Sequence, residues 1–239
     1  MNSDEARARR RAAYRGDGLA AIALLTETGV PADGLQRVGD GLLAAVSQRA
    51  EVARELVEQF VAALCKRSWE GDVELADQLR AALHAGGVHA PRPLAVDLEQ
   101  LAAVLEGDPL SAGGRLDLAT GEVWPQEAFE YSHDGDDEDT GGADDERWLR
   151  VWNEGSRAGY HDMEFFIATV ADLVRADRLA EAIRGRGAFR RFKDVLARTP
   201  EEFERWIAFS EERRYGRARA WLADAGYRVG TENASDPNP

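Results

Sequence analysis

The sequence predicts an α+β protein: an N-terminal bundle of short helices, then a small antiparallel sheet packed with C-terminal helices. Three observations predict it. Apolar residues recur at helical spacing from Leu35 to Leu83 without a strand signal. Alternation of period two appears at Leu116–Trp124 and again at Trp148–Trp152. Helical spacing returns from Met163 onward.

A first helix is expected after Ser3, with Asp4 and Glu5 in its first turn. Leu35, Val38, Leu42, Leu43 and Val46 share one helical face. Leu56, Val57, Phe60, Val61 and Leu64 make a second stripe, and Val73, Leu75, Leu79 and Leu83 a third, stopped by Gly86-Gly87. Glycines and Pro31 punctuate the run, so short antiparallel helices are expected. Tyr14-Arg15-Gly16-Asp17 and Trp69-Glu70-Gly71-Asp72 echo one another, each placing an aspartate to cap the helix that follows. The echo is read as ordinary capping, with a duplicated helical hairpin as the other reading.

Pro91-Arg92-Pro93 favours extended chain and marks the linker, dividing a helical region at 1–90 from an α+β domain at 94–229. Asp97 caps a helix through Leu98, Leu101, Val104 and Leu105. Leu116-Asp117-Leu118 and Glu122-Val123-Trp124 flank a short turn, which reads as a β-hairpin. Trp148 to Trp152 is the third strand, with Leu149 and Val151 on the opposite face from the tryptophans. Residues 130–146 carry nine carboxylates and no Lys or Arg, so a self-repelling loop is expected there. Met163, Phe166, Ile167, Val170, Leu173 and Val174 form one face. Leu179 and Ile183 belong to a short helix ended by Gly185, and Phe189, Phe192, Val195 and Leu196 define the next. Thr199-Pro200-Glu201-Glu202 starts a last helix whose inner face is read as Phe203, Trp206, Ile207 and Ser210. The tail at 230–239 is expected to be disordered.

Composition narrows function by exclusion. The 239 residues are 44% hydrophobic, enough for a core, and carry a net charge of −14. That charge argues against generic attraction to DNA or to an anionic membrane. A single cysteine, Cys65, excludes an internal disulfide and a Cys-rich zinc site. No apolar run approaches a membrane span, and MNSDEARARRR reads as no secretory signal, so a cytoplasmic protein with no membrane partner is expected. The sequence lacks a GxSxG elbow, a GxxxxGK[ST] loop, HExxH and a GxGxxG after a strand. No cofactor, metal or catalytic residue is expected.

The string GRGAFRRFKDVL, Gly185 to Leu196, stands beside LDLATGEVW (Leu116–Trp124), YHDMEFFI (Tyr160–Ile167), the Trp206/Phe209 pair and Trp221-Leu222 before Gly226. With these motifs the chain resembles an uncharacterised bacterial protein family of UPF type, over about Leu94 to Tyr227. Phe165 and Ile207 depart from the family pattern. The resemblance implies no activity, cofactor or catalytic residue.

The sharpest candidate site is an anion-binding element: Gly185, Arg186 and Gly187 entering a helix with Arg190, Arg191 and Lys193. Exposed backbone N–H groups, glycines allowing close approach and nearby guanidiniums suit phosphate or carboxylate. Arg213, Arg214, Arg217 and Arg219 offer an extension of this positive face, which the acidic neighbours Glu201, Glu202, Glu204, Glu211 and Glu212 dilute. The opposing reading makes the glycines helix boundaries and pairs Arg190 with Asp194. The acidic run fits no EF-hand register: from Asp134 the sixth position is Asp139, and from Asp137 the twelfth is Trp148. His161 and Glu164 read as an exposed helix start, and Cys65 as a buried, inert thiol.

These features point to a regulatory or interaction protein that meets a protein or anionic ligand through Gly185–Lys193. Nucleic acid is an alternative partner. An enzyme acting on a phosphorylated or nucleotide substrate is another, provided that Arg190 or Arg191 converges with an acid such as Asp162 or Glu164. The acidic run is read as a solvated spacer, with transient shielding of the basic helix as the other reading. On that second reading, deleting Asp134 to Asp145 should raise affinity for polyanions in a binding titration, and unchanged affinity overturns the shielding.

Overall fold

The structure, a computed structural model, describes residues 17–31, 34–83, 91–107, 113–133 and 146–230, with backbone alone across 47–53. The expected helix after Ser3, the Gly86-Gly87 stop, most of the acidic run and the tail from 231 lie outside these residues. The fold is α+β, as the periodicities predict. The chain divides into two compact units. One holds residues 1–99, 119–122 and 214–239, and the other holds 100–118 and 123–213.

The first unit is built on helices α1 (Gly18–Thr28), α2 (Leu35–Arg67) and α3 (Asp72–Leu83). Asp17 caps α1 by accepting from the Ala20 N–H at 3.0 Å. The two stripes expected to form separate short helices belong to α2, which is a single helix of 33 residues. Val46 and Val57 are eleven residues apart, three helical turns, so the stripes are in phase and need no break. Val38, Leu42, Phe60 and Leu64 of α2 are fully buried together with Leu75 and Leu79 of α3 and Ala21 of α1. Asp72 does not act as a simple cap. Its carboxylate is fully buried and collects donors from Gln36, Arg67 and the Trp69 N–H.

The Pro91-Arg92-Pro93 segment is extended, as expected, but it is no free tether. Strand β1 (Arg92–Leu94) pairs in parallel with a strand absent from the sequence reading, Tyr227–Val229. The Arg92 N–H donates to Gly226 O at 3.0 Å and the Gly230 N–H to Leu94 O at 2.9 Å.

Cys65 is exposed rather than buried, because it lies at the edge of the α2 stripe, and its sulfur accepts from Arg80 Nη2 at 3.4 Å. Tyr215 sits between Arg37, which donates to its oxygen at 2.9 Å, and Glu99, which accepts from it at 3.1 Å. Burial pushes its phenol up to about 12, with Glu99 adding to the rise and Arg37 opposing it. The folded value lies above the ordinary value near 10, so this group stabilises fully below about pH 10. The contribution is lost as pH rises through about 12. Tyr215→Phe should flatten the fall of the urea midpoint between pH 9 and 12, and an unaltered slope contradicts this.

The second unit holds the antiparallel sheet, in the order β3-β2-β4, with β2 (Gly114–Asp117), β3 (Val123–Pro125) and β4 (Trp148–Val151). These are the three strands that alternation predicts. Asp117, buried at the end of β2, accepts from Arg147 Nε at 3.0 Å and Nη2 at 2.6 Å, clamping the entry to β4. Trp152 is 63% exposed, and the Arg150 guanidinium lies 3.9 Å above its ring. Residues 130–133, expected in the acidic loop, instead end a helix, Gln126–His133. Helix α4 (Leu98–Leu105) is introduced by Asp97, which accepts from the Glu99 N–H at 2.8 Å. With Gln126–His133 as α5, the remaining helices are α6 (Arg157–Ala168), α7 (Leu173–Ala182), α8 (Ala188–Leu196) and α9 (Pro200–Asp224), and Tyr227–Val229 is β5.

Candidate functional site

The face expected to run from Met163 to Val174 is broken. Helix α6 stops at Ala168, the Thr169 hydroxyl donates to Phe166 O at 2.7 Å, and Asp172 caps α7 by accepting from the Arg175 N–H at 3.1 Å. Leu173 and Val174 therefore leave the core and are exposed. The break lets α7 and α8 form an antiparallel hairpin: Arg191, early in α8, reaches the Ala182 carbonyl at the end of α7, while Arg175, early in α7, reaches Glu202 of α9, in the first turn of the helix that follows α8.

An aromatic cluster fixes α8. Phe192 meets Phe166 of α6 and Trp206 of α9 with ring centroids 6.2 and 4.8 Å away, both edge-on. Phe209 completes the group at 5.6 Å from Phe166, while Ile207, expected inside, is 41% exposed. The α9 face is thus Trp206 and Phe209, three residues apart, and Ile207 falls off it. Phe189 is partly exposed because it opens α8 at the edge of this cluster.

Between the helices, Gly185 and Gly187 both take left-handed backbone, with φ of 76° and 75°. The resulting corner turns the carbonyls of Ala182, Arg184, Gly185 and Arg186 toward one side chain. Arg191 donates through Nε to Ala182 O at 3.0 Å, through Nη2 to Arg184 O at 2.6 Å, and through Nη1 to Arg186 O. Its guanidinium thus covers the negative end of α7 and is occupied by backbone. Arg191 builds the corner; it is no free anion ligand.

Arg186, Arg190 and Lys193 point outward. Arg190 is 89% exposed in its side chain and only 3.9 Å from Asp194, the pairing anticipated from the i,i+4 spacing. The Arg186 and Lys193 side chains have no partner among the described residues. Gly187, which caps α8, brings no side-chain hydrogen bond, so the positive end of α8 faces the same corner.

The extension of this positive face does not form. Arg213 donates to buried Asp162 at 2.9 Å, and Arg217 and Arg219 are buried within the protein. Their half of α9 carries inward-facing positions that a run of arginines conceals. Asp162 is held by Arg213, and Glu164 lies 3.0 Å from His161 Nδ1, whose N–H donates to the carboxylate. The acids named for a phosphate-handling enzyme are thus engaged with other partners.

A groove of about 840 Å³ runs along the α7–α8 hairpin. Arg175, Arg178, Arg184, Arg191 and Arg198 line it, together with Asp172, Glu181 and Asp194. Neither Asp162 nor Glu164 does. The sequence reading did not single out Arg178 or Arg198. Part of their signal was spacing: Arg175 and Arg178 are three apart on α7, whereas Arg198 lies in the turn just past the end of α8.

Residues 142–238 match the model of an uncharacterised protein family, UPF0158. That is less than half of the chain. The match includes the Gly185–Leu196 string and the α6–α9 helices but leaves β2 and β3 outside it, so it starts well after Leu94. No curated protein and no solved structure matches the chain. Among the described residues, no helix is long and apolar enough to cross a membrane.

Proposed function

We propose that this chain is a non-enzymatic regulatory or interaction protein that contacts an anionic partner through the α7–α8 corner. Arg186, Arg190 and Lys193 are the contact residues, and Arg191 is the side chain that holds them in place. The observation that carries the reading is this division of labour. One guanidinium neutralises the carbonyls that would repel an anion, while three other cations around it stay exposed. The uncapped start of α8 adds its positive pole to the same corner. A rigid aromatic base under Phe192 lets the cations meet a partner without reordering the backbone.

The test keeps Arg191. Partners captured from a lysate by wild type should be lost with Arg186→Ala/Arg190→Ala/Lys193→Ala, at unchanged circular dichroism. Because all three side chains are exposed, folding should hold within about 0.5 kcal/mol. Identical captures from both proteins overturn the proposal. If the captured partner is a nucleic acid, its affinity should fall steeply with added salt; a shallow dependence excludes that class.

A further inference from the structure

The α7–α8 groove is a second surface, lined on the α8 side by Arg191, Asp194 and Val195, with Arg190 at its margin paired to Asp194. Its charges are unevenly matched. Asp172 lies 3.5 Å from Arg175, Glu181 2.9 Å from Arg184, and Asp194 faces Arg190 at 3.9 Å. Arg191 is occupied by the corner carbonyls. Every carboxylate of the lining therefore has a cation, whereas Arg178 and Arg198 are exposed and have no partner among the described residues. Val174, Ala182 and Val195 supply apolar surface beside them.

The groove spans α7, which at ten residues is about 15 Å long, the reach of about four to five residues of extended chain. Its volume lies within the range of ligand sites and far exceeds a single phosphate. Three features decide the class of occupant. The start of α7, where a phosphate would gain from the helix dipole, already carries the Asp172 carboxylate. The lining includes no aromatic ring on which a nucleobase would stack. Carboxylates interleaved with the arginines repel a uniform polyanion but tolerate separated single charges.

From this we infer that the groove docks a short segment of a partner protein in which two carboxylates flank apolar side chains. Arg178 and Arg198 receive the carboxylates, and Val174 and Val195 receive the apolar groups. The surface goes beyond the corner proposed above and uses different cations.

The probe is a library of fluorescent pentapeptides with glutamate at the first and last positions and Leu, Val or Ile between, read by anisotropy at 50 and 200 mM salt. Members of the library should bind the wild-type protein. Arg178→Glu/Arg198→Glu should weaken them at least tenfold, while Arg186→Ala/Lys193→Ala, a corner variant that leaves the Arg190–Asp194 pair in place, should leave them within twofold. Glutamine in place of both glutamates should also abolish binding. Both substituted arginines are exposed, so the circular dichroism spectrum of the groove variant should match that of wild type. The inference is overturned if no member binds, if the groove variant binds as wild type does, or if pyrophosphate competes as well as the best peptide. Loss in the corner variant alone would support the corner and reject the groove.

Discussion

Asp72→Ala is expected to destabilise the protein by about 3–5 kcal/mol, the range for removing one partner of a buried ion pair. The carboxylate is fully buried. It accepts from Arg67 through both oxygens, from Gln36 Nε2 at 3.0 Å and from the Trp69 N–H at 2.8 Å. Gln36 in turn accepts from Arg219 Nε at 2.7 Å, and Arg219, also fully buried, donates to Gln78 at 3.2 Å and to Asp40 at 2.5 Å. The two arginines and two aspartates balance in charge, and Gln36 joins the halves by donating to one and accepting from the other. Removing Asp72 leaves Arg67, whose side chain is only 11% exposed, without its counter-charge. A loss of this size is a large fraction of the roughly 5–15 kcal/mol that holds a domain folded. Asp72→Asn keeps the shape and an acceptor while removing the charge, so its cost should fall between that of alanine and zero. Urea midpoints for the two variants decide the matter: if alanine costs less than about 1 kcal/mol, the network does not stabilise the fold.

That network also marks the limit of what the sequence made legible. The strands β2, β3 and β4 were readable because alternation is a local pattern. The helix faces were readable for the same reason, although the phase between Val46 and Val57 that joins two stripes into α2 was overlooked. Gln36 and Arg219 are 183 residues apart, and no local period records such a partnership. Arg219 was hidden further by its company: a run with Arg213, Arg214 and Arg217 has the composition of a solvated face. The pairing of Arg92–Leu94 with Tyr227–Val229 is equally remote. At the candidate site, glycines and cations were visible, but Arg191 could not be told from Arg190. Its partners are backbone carbonyls, and every residue carries one.

Gly216→Ala inverts an ordinary rule, which makes it informative. In an exposed helix interior, alanine in place of glycine gains about 1 kcal/mol. Gly216 is buried inside α9, and the same helix propensity favours alanine there. Here, however, a Cβ would overlap the carbonyl oxygen of Glu70, and a Cβ on Gly71 would overlap the backbone of Gly216. Both obstacles are main chain, so no side chain can rotate away; α9 and the Gly71 turn would have to separate. Overpacking of this kind costs about 1–3 kcal/mol, and its rigidity places it at the upper end, leaving a net loss of about 2 kcal/mol. Gly71→Ala should cost more, because its φ of 84° adds left-handed strain with no helical gain to offset it. Gly39→Ala is the control. There the nearest atoms to the new methyl are side-chain carbons of Leu75, which can shift, so its loss should be smaller than that of Gly216→Ala. Thermal midpoints ordered Gly39, Gly216, Gly71 from mildest to most severe would establish that α9 is held by backbone contact. A Gly216→Ala protein more stable than wild type would show that helix propensity wins and that the contact is loose.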